Sequence, residues 1–320
     1  MWRLGLFIAK LLIVFMCSGK QMKTNRQRQA VGTNYQTSYL CIFCLNLLIL
    51  ASSSVLTDMA KAADSVDPIT FGVVPQQSAG KLARLWTPVF ENLSAATGYR
   101  IEFRTAPDIP EFERRLARGE YDLAYMNPYH YTTFHKQPGY EAFAKAKDKK
   151  LKGIVVVRED STYKEMDQLA GQTLAFPSPA AFAASIVTRS YLQNQSIPIL
   201  AEYVSSHDSV YLGVAKGLYP AGGGVMRTFN NVEEDIRDQL RILWVSPGYT
   251  PHAFAAHPRL DKTVVDTIRD AMLRLDETGG GRALLGNLKL KGIISAEDEE
   301  WGDIRALNLQ MLDDLISPSP

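Results

Sequence analysis

From residue 69 onward, short apolar runs alternate with segments of helical spacing, and that alternation limits the fold more than any other feature. Residues 69–74 form an apolar run ending at Pro75. Leu82, Leu85, Trp86, Val89, Phe90 and Leu93 then recur at helical spacing across 78–97, and Gly98 closes the segment. Residues 99–105 alternate like a strand, 111–118 read as a short helix stopped by Gly119, and 121–126 read as the next strand. A helix is expected over 128–136, a strand-like region from Phe143, and a buried strand over 153–157. The order β-α-β-α-β calls for a parallel, doubly wound sheet. The rhythm then repeats: strand 173–176, helix 180–193, strand 200–204, helix 209–216, Val225 after a glycine run, and strand 241–245, with a largely helical tail. The expected fold is α/β, two doubly wound lobes joined by a hinge. Lobe 1 is expected over 63–155 plus 247–320 and lobe 2 over 156–246.

The chain of 320 residues carries 35 Lys and Arg against 34 Asp and Glu, which excludes the strong basic field of a general nucleic-acid binder. The balance is uneven along the chain. Residues 1–62 hold seven basic residues and one acid, leaving 28 basic and 33 acidic residues, net −5, in 63–320. Cys17, Cys41 and Cys44 all lie in the first segment, so the rest has no cysteine for disulfides, thiolate chemistry or thiolate metal sites. Within 1–62, an apolar run over 40–56 follows a basic stretch and precedes Ala60-Lys61-Ala62, a small-x-small cleavage pattern. Residues 1–62 are therefore expected to be a signal peptide or targeting segment, with translation from Met22 as one reading and a retained N-terminal anchor as the alternative. Either way 63–320 is expected outside the cytoplasmic membrane, in the periplasm.

Open α/β sheets bind ligands beyond the carboxyl ends of their strands, and with two lobes the cleft between them is the default site. The loops that end there are 75–78, 105–110, 127–130, 177–182, 205–208 and 222–228. Several of these loops open helices, whose first N–H groups are unpaired and favour anions.

Specific residues carry a resemblance. Phe71-Gly72-Val73-Val74-Pro75 forms the first strand and turn. Thr105-Ala106-Pro107-Asp108 is followed by an amphipathic helix and by Gly119-Glu120-Tyr121-Asp122-Leu123-Ala124. Leu169-Ala170-Gly171-Gln172-Thr173-Leu174-Ala175-Phe176 and Ser206-His207-Asp208-Ser209-Val210 complete an ordered set. Over roughly 69–311 the chain resembles the extracytoplasmic substrate-binding proteins of phosphate/phosphite/phosphonate ABC transporters. The resemblance implies a type II periplasmic-binding-protein fold and hinge closure around a small anionic or zwitterionic solute. It also implies delivery to an ABC permease, with no cofactor and no metal. The candidate ligand contacts are Gln76, Asn127, Ala180, Ala181, Phe182, His207 and Asp208, with Ile109 where the family commonly carries a tyrosine and Tyr129 as a substitute for its shifted ligand-facing aromatic. The sequence departs from the family at the start of the first lobe 2 helix. Members typically carry Ser and Thr there, whereas this chain has Ser178-Pro179-Ala180-Ala181-Phe182-Ala183-Ala184-Ser185. Each lost charge-assisted hydrogen bond removes about 1.5–3 kcal/mol from binding of a charged phosphonate.

Arg227, three residues past Gly222-Gly223-Gly224, is the candidate replacement, because guanidinium grips oxyanions bidentately; the alternative is a surface arginine at a strand end. His207-Asp208 is read as a ligand contact, a helix cap, or both. Tyr129 is read as a contact, although Asn127-Pro128 is good helix-start chemistry without a ligand. The histidine pairs lack metal-site spacing, Gly279-Gly280-Gly281 lacks the lysine of a phosphate loop and is read as a break between helices, and the lysines of 145–152 read as solvated surface. The expected function is an extracytoplasmic, monomeric solute-binding protein. A ligand sensor reporting to a membrane partner is the first alternative, and an enzyme on the same scaffold the second.

Overall fold

A computed structural model describes residues 67–317. The segment read as a signal lies outside the described residues. Outgoing from the N-terminal side are β1 (Ile69–Val73), β2 (Ile101–Arg104), β3 (Leu123–Met126) and β4 (Glu141–Ala146). Then come β5 (Gly153–Arg158), β6 (Thr173–Phe176), β7 (Leu200–Tyr203), β8 (Ala221–Val225) and β9 (Leu240–Val245). The chain returns through β10 (Ala253–Ala256) and β11 (Ile293–Ser295). They form two sheets, a six-stranded one in the order β11-β4-β10-β3-β1-β2 and a five-stranded one in the order β7-β6-β8-β5-β9.

The α/β architecture with two sheets is the expected one. Its strand directions are more mixed than the alternation implied. β1 pairs in parallel with β2 and β3, and β6 with β7 and β8. The strands that hand the chain over run the other way: β10 is antiparallel to β3 and β4, and β5 to β8 and β9. Hydrophobic periodicity carries no information on direction, so a mixed sheet reads like a parallel one. The strand read at 153–157, which the expected lobe boundary at 155/156 divides, lies wholly in the five-stranded sheet as Gly153–Arg158. The outgoing crossing therefore spans 147–152 and the return 246–252, and an antiparallel bridge between Leu151 and Tyr249 ties the two together.

The helix Ala79–Thr97 buries Leu82, Trp86, Val89, Phe90 and Leu93 on one stripe, and Gly98 at φ +78° ends it with its N–H on Ser94 O. An aromatic stack runs from this stripe toward the crossings: Phe71 on Phe90 at 4.5 Å, Trp86 on Tyr125 at 4.9 Å, and Tyr125 on His252 at 5.0 Å. The core is thus continuous up to the cleft.

Two glycine runs differ from expectation. Gly222–Gly224, read as loop, lies inside the central strand β8. The helix read at 180–193 begins as a π-helix, Phe182–Val187, and continues as the α-helix Thr188–Asn194. A Cβ at Gly223 would lie 2.2 Å from Ala184 O, and one at Gly153 2.2 Å from Ala183 O. The wide π turn therefore seats its carbonyls on bare strand backbone, and only glycine admits that approach. Gly279-Gly280-Gly281, read as a break, opens the helix Gly279–Asn287, capped by Thr278 Oγ1 accepting from Gly281 N at 3.0 Å.

Candidate functional site

The loop after β1 turns tightly, with Gln76 N donating to Val74 O at 2.8 Å. It is clasped by the start of the helix His207–Ala215 from the other sheet. His207 N donates to Gln76 O at 2.9 Å. Asp208 Oδ2 accepts from Ser78 N at 3.2 Å and Oδ1 from Gln77 Nε2 at 3.4 Å. Ser206, not Asp208, caps that helix, accepting from Ser209 N at 3.1 Å. Asp208 instead meets the N-terminal end of Ala79–Thr97, where a carboxylate complements the unpaired N–H groups and the dipole. Lys81 and Glu233 add an ion pair at 3.4 Å between the lobes.

Asn127 caps the helix Pro128–Phe134, accepting from His130 N at 2.8 Å, and its Nδ2 lies 3.4 Å from Ala180 O across the cleft. His130 Nε2 sits 2.8 Å from Glu113 Oε1 and 2.9 Å from Asn127 Nδ2. On the far side, Ser185 N donates to Ala181 O at 2.7 Å and Ile186 N to the same oxygen at 3.3 Å. The first N–H groups of such a turn have no acceptor within it. Gln76, Ile109, Asn127, Ala181–Ala184, His207 and His252 line a cavity of about 10 Å³ at this turn. That is about the space one water needs.

Arg227 lies in the short helix Met226–Phe229 directly after β8. Only 9% of it is exposed, so it is no surface arginine. Its Nη2 donates to Gln76 Oε1 of the other lobe, and its guanidinium carbon lies 5.8 Å from the Tyr125 ring centre. Arg227 also lines a second cavity of about 90 Å³ with Tyr125, Lys149, Lys150, Lys152, Asn230 and His252. The lysine segment 145–152 is therefore only partly the solvated surface expected of it. Lys147, Lys150 and Lys152 are exposed as expected, whereas Lys145 and Lys149 are half-buried; Lys145 and Lys147 pair with Glu300 and Asp276, and Lys149, Lys150 and Lys152 border the cavity.

Burial and this cation set the site's protonation. His207 is pushed down to about 3, by burial first and then by Arg227. His252 is pushed well below the usual imidazole range by the same two causes, in the same order. Burial, then Arg227 and Lys291, lowers Lys149 to about 8. The site thus offers neutral imidazoles, amides and fixed cations, and no Asp or Glu lines either cavity.

Most sequence-derived candidates converge here. Gln76, Ile109, Asn127, Ala181, Phe182 and His207 line the small cavity, Ala180 contributes its carbonyl, and Arg227 bridges the lobes. Tyr129 does not join them: its hydroxyl accepts from Leu312 N at 3.0 Å and holds the C-terminal segment. His252 and Lys149, which line the cavities, were not among the candidates, and Ser178 lies in the 177–182 loop already named. His252 sits one residue before β10, where the returning chain reaches the cleft; sequence reading weighed it only as a metal partner of His257. Ser178, 2% exposed, has a hydroxyl with no partner beside the π turn. Among the described residues no three His, Cys, Asp or Glu side chains gather as a metal would need.

A cleft with one buried arginine and bordering lysines, beside the start of a helical turn, fits capture of an anion. The model of one protein family, described as "ABC transporter, phosphonate, periplasmic substrate-binding protein", matches residues 71–301. The chain belongs to this family. It is a periplasmic substrate-binding protein of the phosphonate ABC-transporter family and not an enzyme. The chain is 22% identical over 298 residues to the phosphate-import protein PhnD of Mycolicibacterium smegmatis, covering 82% of this chain and 92% of that one. Its fold is shared with a binding protein component of an ABC phosphonate transporter from Pseudomonas aeruginosa, at TM-score 0.71 and 18% identity over 79% of this chain and 90% of that one. PhnD1 from Prochlorococcus marinus, solved in complex with methylphosphonate, matches at TM-score 0.68 and 18% identity, over 75% of this chain and 98% of that one. Among the described residues no helix is long and apolar enough to cross a membrane.

Proposed function

We propose that the protein captures a small phosphorus oxyanion (phosphate, phosphite or a short alkylphosphonate) at the π turn and Arg227, closes over it, and presents the closed form to its permease as a periplasmic monomer. The observation that carries this reading is Arg227, a nine-tenths buried cation reaching from one lobe to Gln76 of the other, which lines the cavity at the π turn. The hydroxyls missing at 180–184 are replaced by this full charge, with the amides and Asn127 completing the shell. Asp208 is proposed to act on closure, not on the ligand, because its oxygens are taken up by Ser78 N and Gln77.

A ligand favours closure only as far as it binds the closed form more tightly than the open one. The cross-lobe bonds at His207, Asp208 and Asn127 hold the lobes together, each contributing about 0.5–1.5 kcal/mol. The crossings at 147–152 and 246–252 are the proposed hinge. Relatives point to the same chemistry, one named for phosphate import and one bound to methylphosphonate.

A thermal-shift panel of phosphate, phosphite, methylphosphonate, sulfate and acetate tests the reading. A ligand at a hundred times its Kd adds about 2.7 kcal/mol to stability. A raised Tm with phosphorus oxyanions and none with acetate is expected. A folded protein whose Tm none of the five raises would contradict it.

A further inference from the structure

The two cavities share Leu151 and His252, so the phosphorus site at the π turn adjoins the larger space on the hinge side. That space is walled by apolar groups, among them Ala146, Met226, Pro251 and Leu290, and ringed by cations. Lys150 and Lys152 are exposed to solvent, and half-buried Lys149 donates to Lys289 O at 2.5 Å. Among the described residues no carboxylate lies within ion-pair distance of Lys149, Lys150, Lys152 or Arg227, although their sequence neighbours Lys145 and Lys147 each have one. His252 borders both spaces, is 3% exposed, and its Nε2 has no hydrogen-bond partner. Buried polar atoms are seldom left unpaired, so one without a partner marks a place where a ligand atom belongs. At about 90 Å³ the space holds several water-sized groups, where the cavity at the π turn holds about one.

We propose that the lysine-ringed cavity is a second anion subsite, so that the favoured ligand is a short phosphonate carrying a distal carboxylate. This rests on the phosphoryl group occupying the π turn as proposed above. The apolar walls take the carbon spacer and Lys149 takes the carboxylate, while Arg227 stays with the phosphoryl group. Lys149, though lowered to about 8, remains a cation at neutral pH. The same chemistry disfavours a ligand with a distal ammonium. Asp208 and Glu113 are engaged with Ser78 N and His130, and no Asp or Glu lines either cavity.

Calorimetric titration with methylphosphonate, phosphonoacetate and 2-aminoethylphosphonate at neutral pH tests this. The full chain is expected to bind phosphonoacetate at least about tenfold more tightly than methylphosphonate, and 2-aminoethylphosphonate most weakly, a spread that one charge-assisted hydrogen bond more or fewer implies. In Lys149→Gln the phosphonoacetate-to-methylphosphonate ratio falls toward one, Lys149→Arg retains it, and Lys147→Gln, in the same segment but outside the cavity, leaves it unchanged. Equal affinities for the three ligands, or tightest binding of 2-aminoethylphosphonate, would overturn the subsite while leaving the phosphoryl site standing. Failure of all three to bind folded protein would overturn both.

Discussion

His207 shows how a single side chain at the lobe contact couples protonation to the fold. Its ring is buried, Nδ1 lies 3.2 Å from Thr228 Oγ1, and its pKa sits at about 3. In an unfolded chain the same imidazole titrates near about 6.5. Between those values the unfolded state binds a proton that the native state refuses. Stability from this residue is therefore complete above about pH 6.5 and declines as pH falls toward 3. Each pH unit in that window is worth about 1.4 kcal/mol, so a drop to pH 4.5 costs roughly 2–3 kcal/mol. Urea unfolding of wild type and His207→Asn at pH 7 and pH 4.5 checks the sign. The wild type should lose more stability than the variant, and equal losses would show that His207 is not held neutral. His252 adds to the same trend in both proteins. At this scale the sequence was informative about residue type and less so about direction. Arg227 stood out because the first helix of lobe 2 lacks hydroxyls. Whether Tyr129 turns to the cleft or to Leu312 depends on the C-terminal segment, far away in the chain.

Among the elements, β8 and the π turn must be considered together. Three consecutive glycines have poor strand propensity, which is why the sequence reads as loop there. Packing overrides propensity: Ala184 O, Phe176, Val210 and Tyr211 occupy the space that side chains at Gly222–Gly224 would need. Gly223→Ala is expected to destabilise the protein by about 2–3 kcal/mol, because the atom met is backbone and cannot rotate away. It should also weaken anion binding by displacing the amide turn. Thermal unfolding decides the first part; an unchanged Tm would mean that the turn is not seated on the strand. The helical segment was legible from its alanines and flanking strands. Its π start was not, since nothing in a local apolar pattern distinguishes one hydrogen-bond register from another.

For the whole molecule, alternation of strands and helices was enough to read two α/β lobes and a cleft, because each element's periodicity reflects which side it buries. Antiparallel pairing at β5 and β10, and the folding of the lysine segment around a cavity at the crossings, depend on how the chain passes twice between the sheets. Those are long-range facts that no local pattern encodes. The same double passage brings Gln76, the π turn and Arg227 to one place, and the central proposal is that an oxyanion is held there by a charge that compensates for absent hydroxyls. Calorimetric titration of wild type, Arg227→Lys and Arg227→Ala with methylphosphonate tests it most directly. Arg227→Ala should lose on the order of 2–5 kcal/mol of binding free energy, about thirtyfold or more in Kd, with Arg227→Lys in between because it keeps the charge and loses the planar fork. Wild-type affinity in a folded Arg227→Ala protein would contradict it.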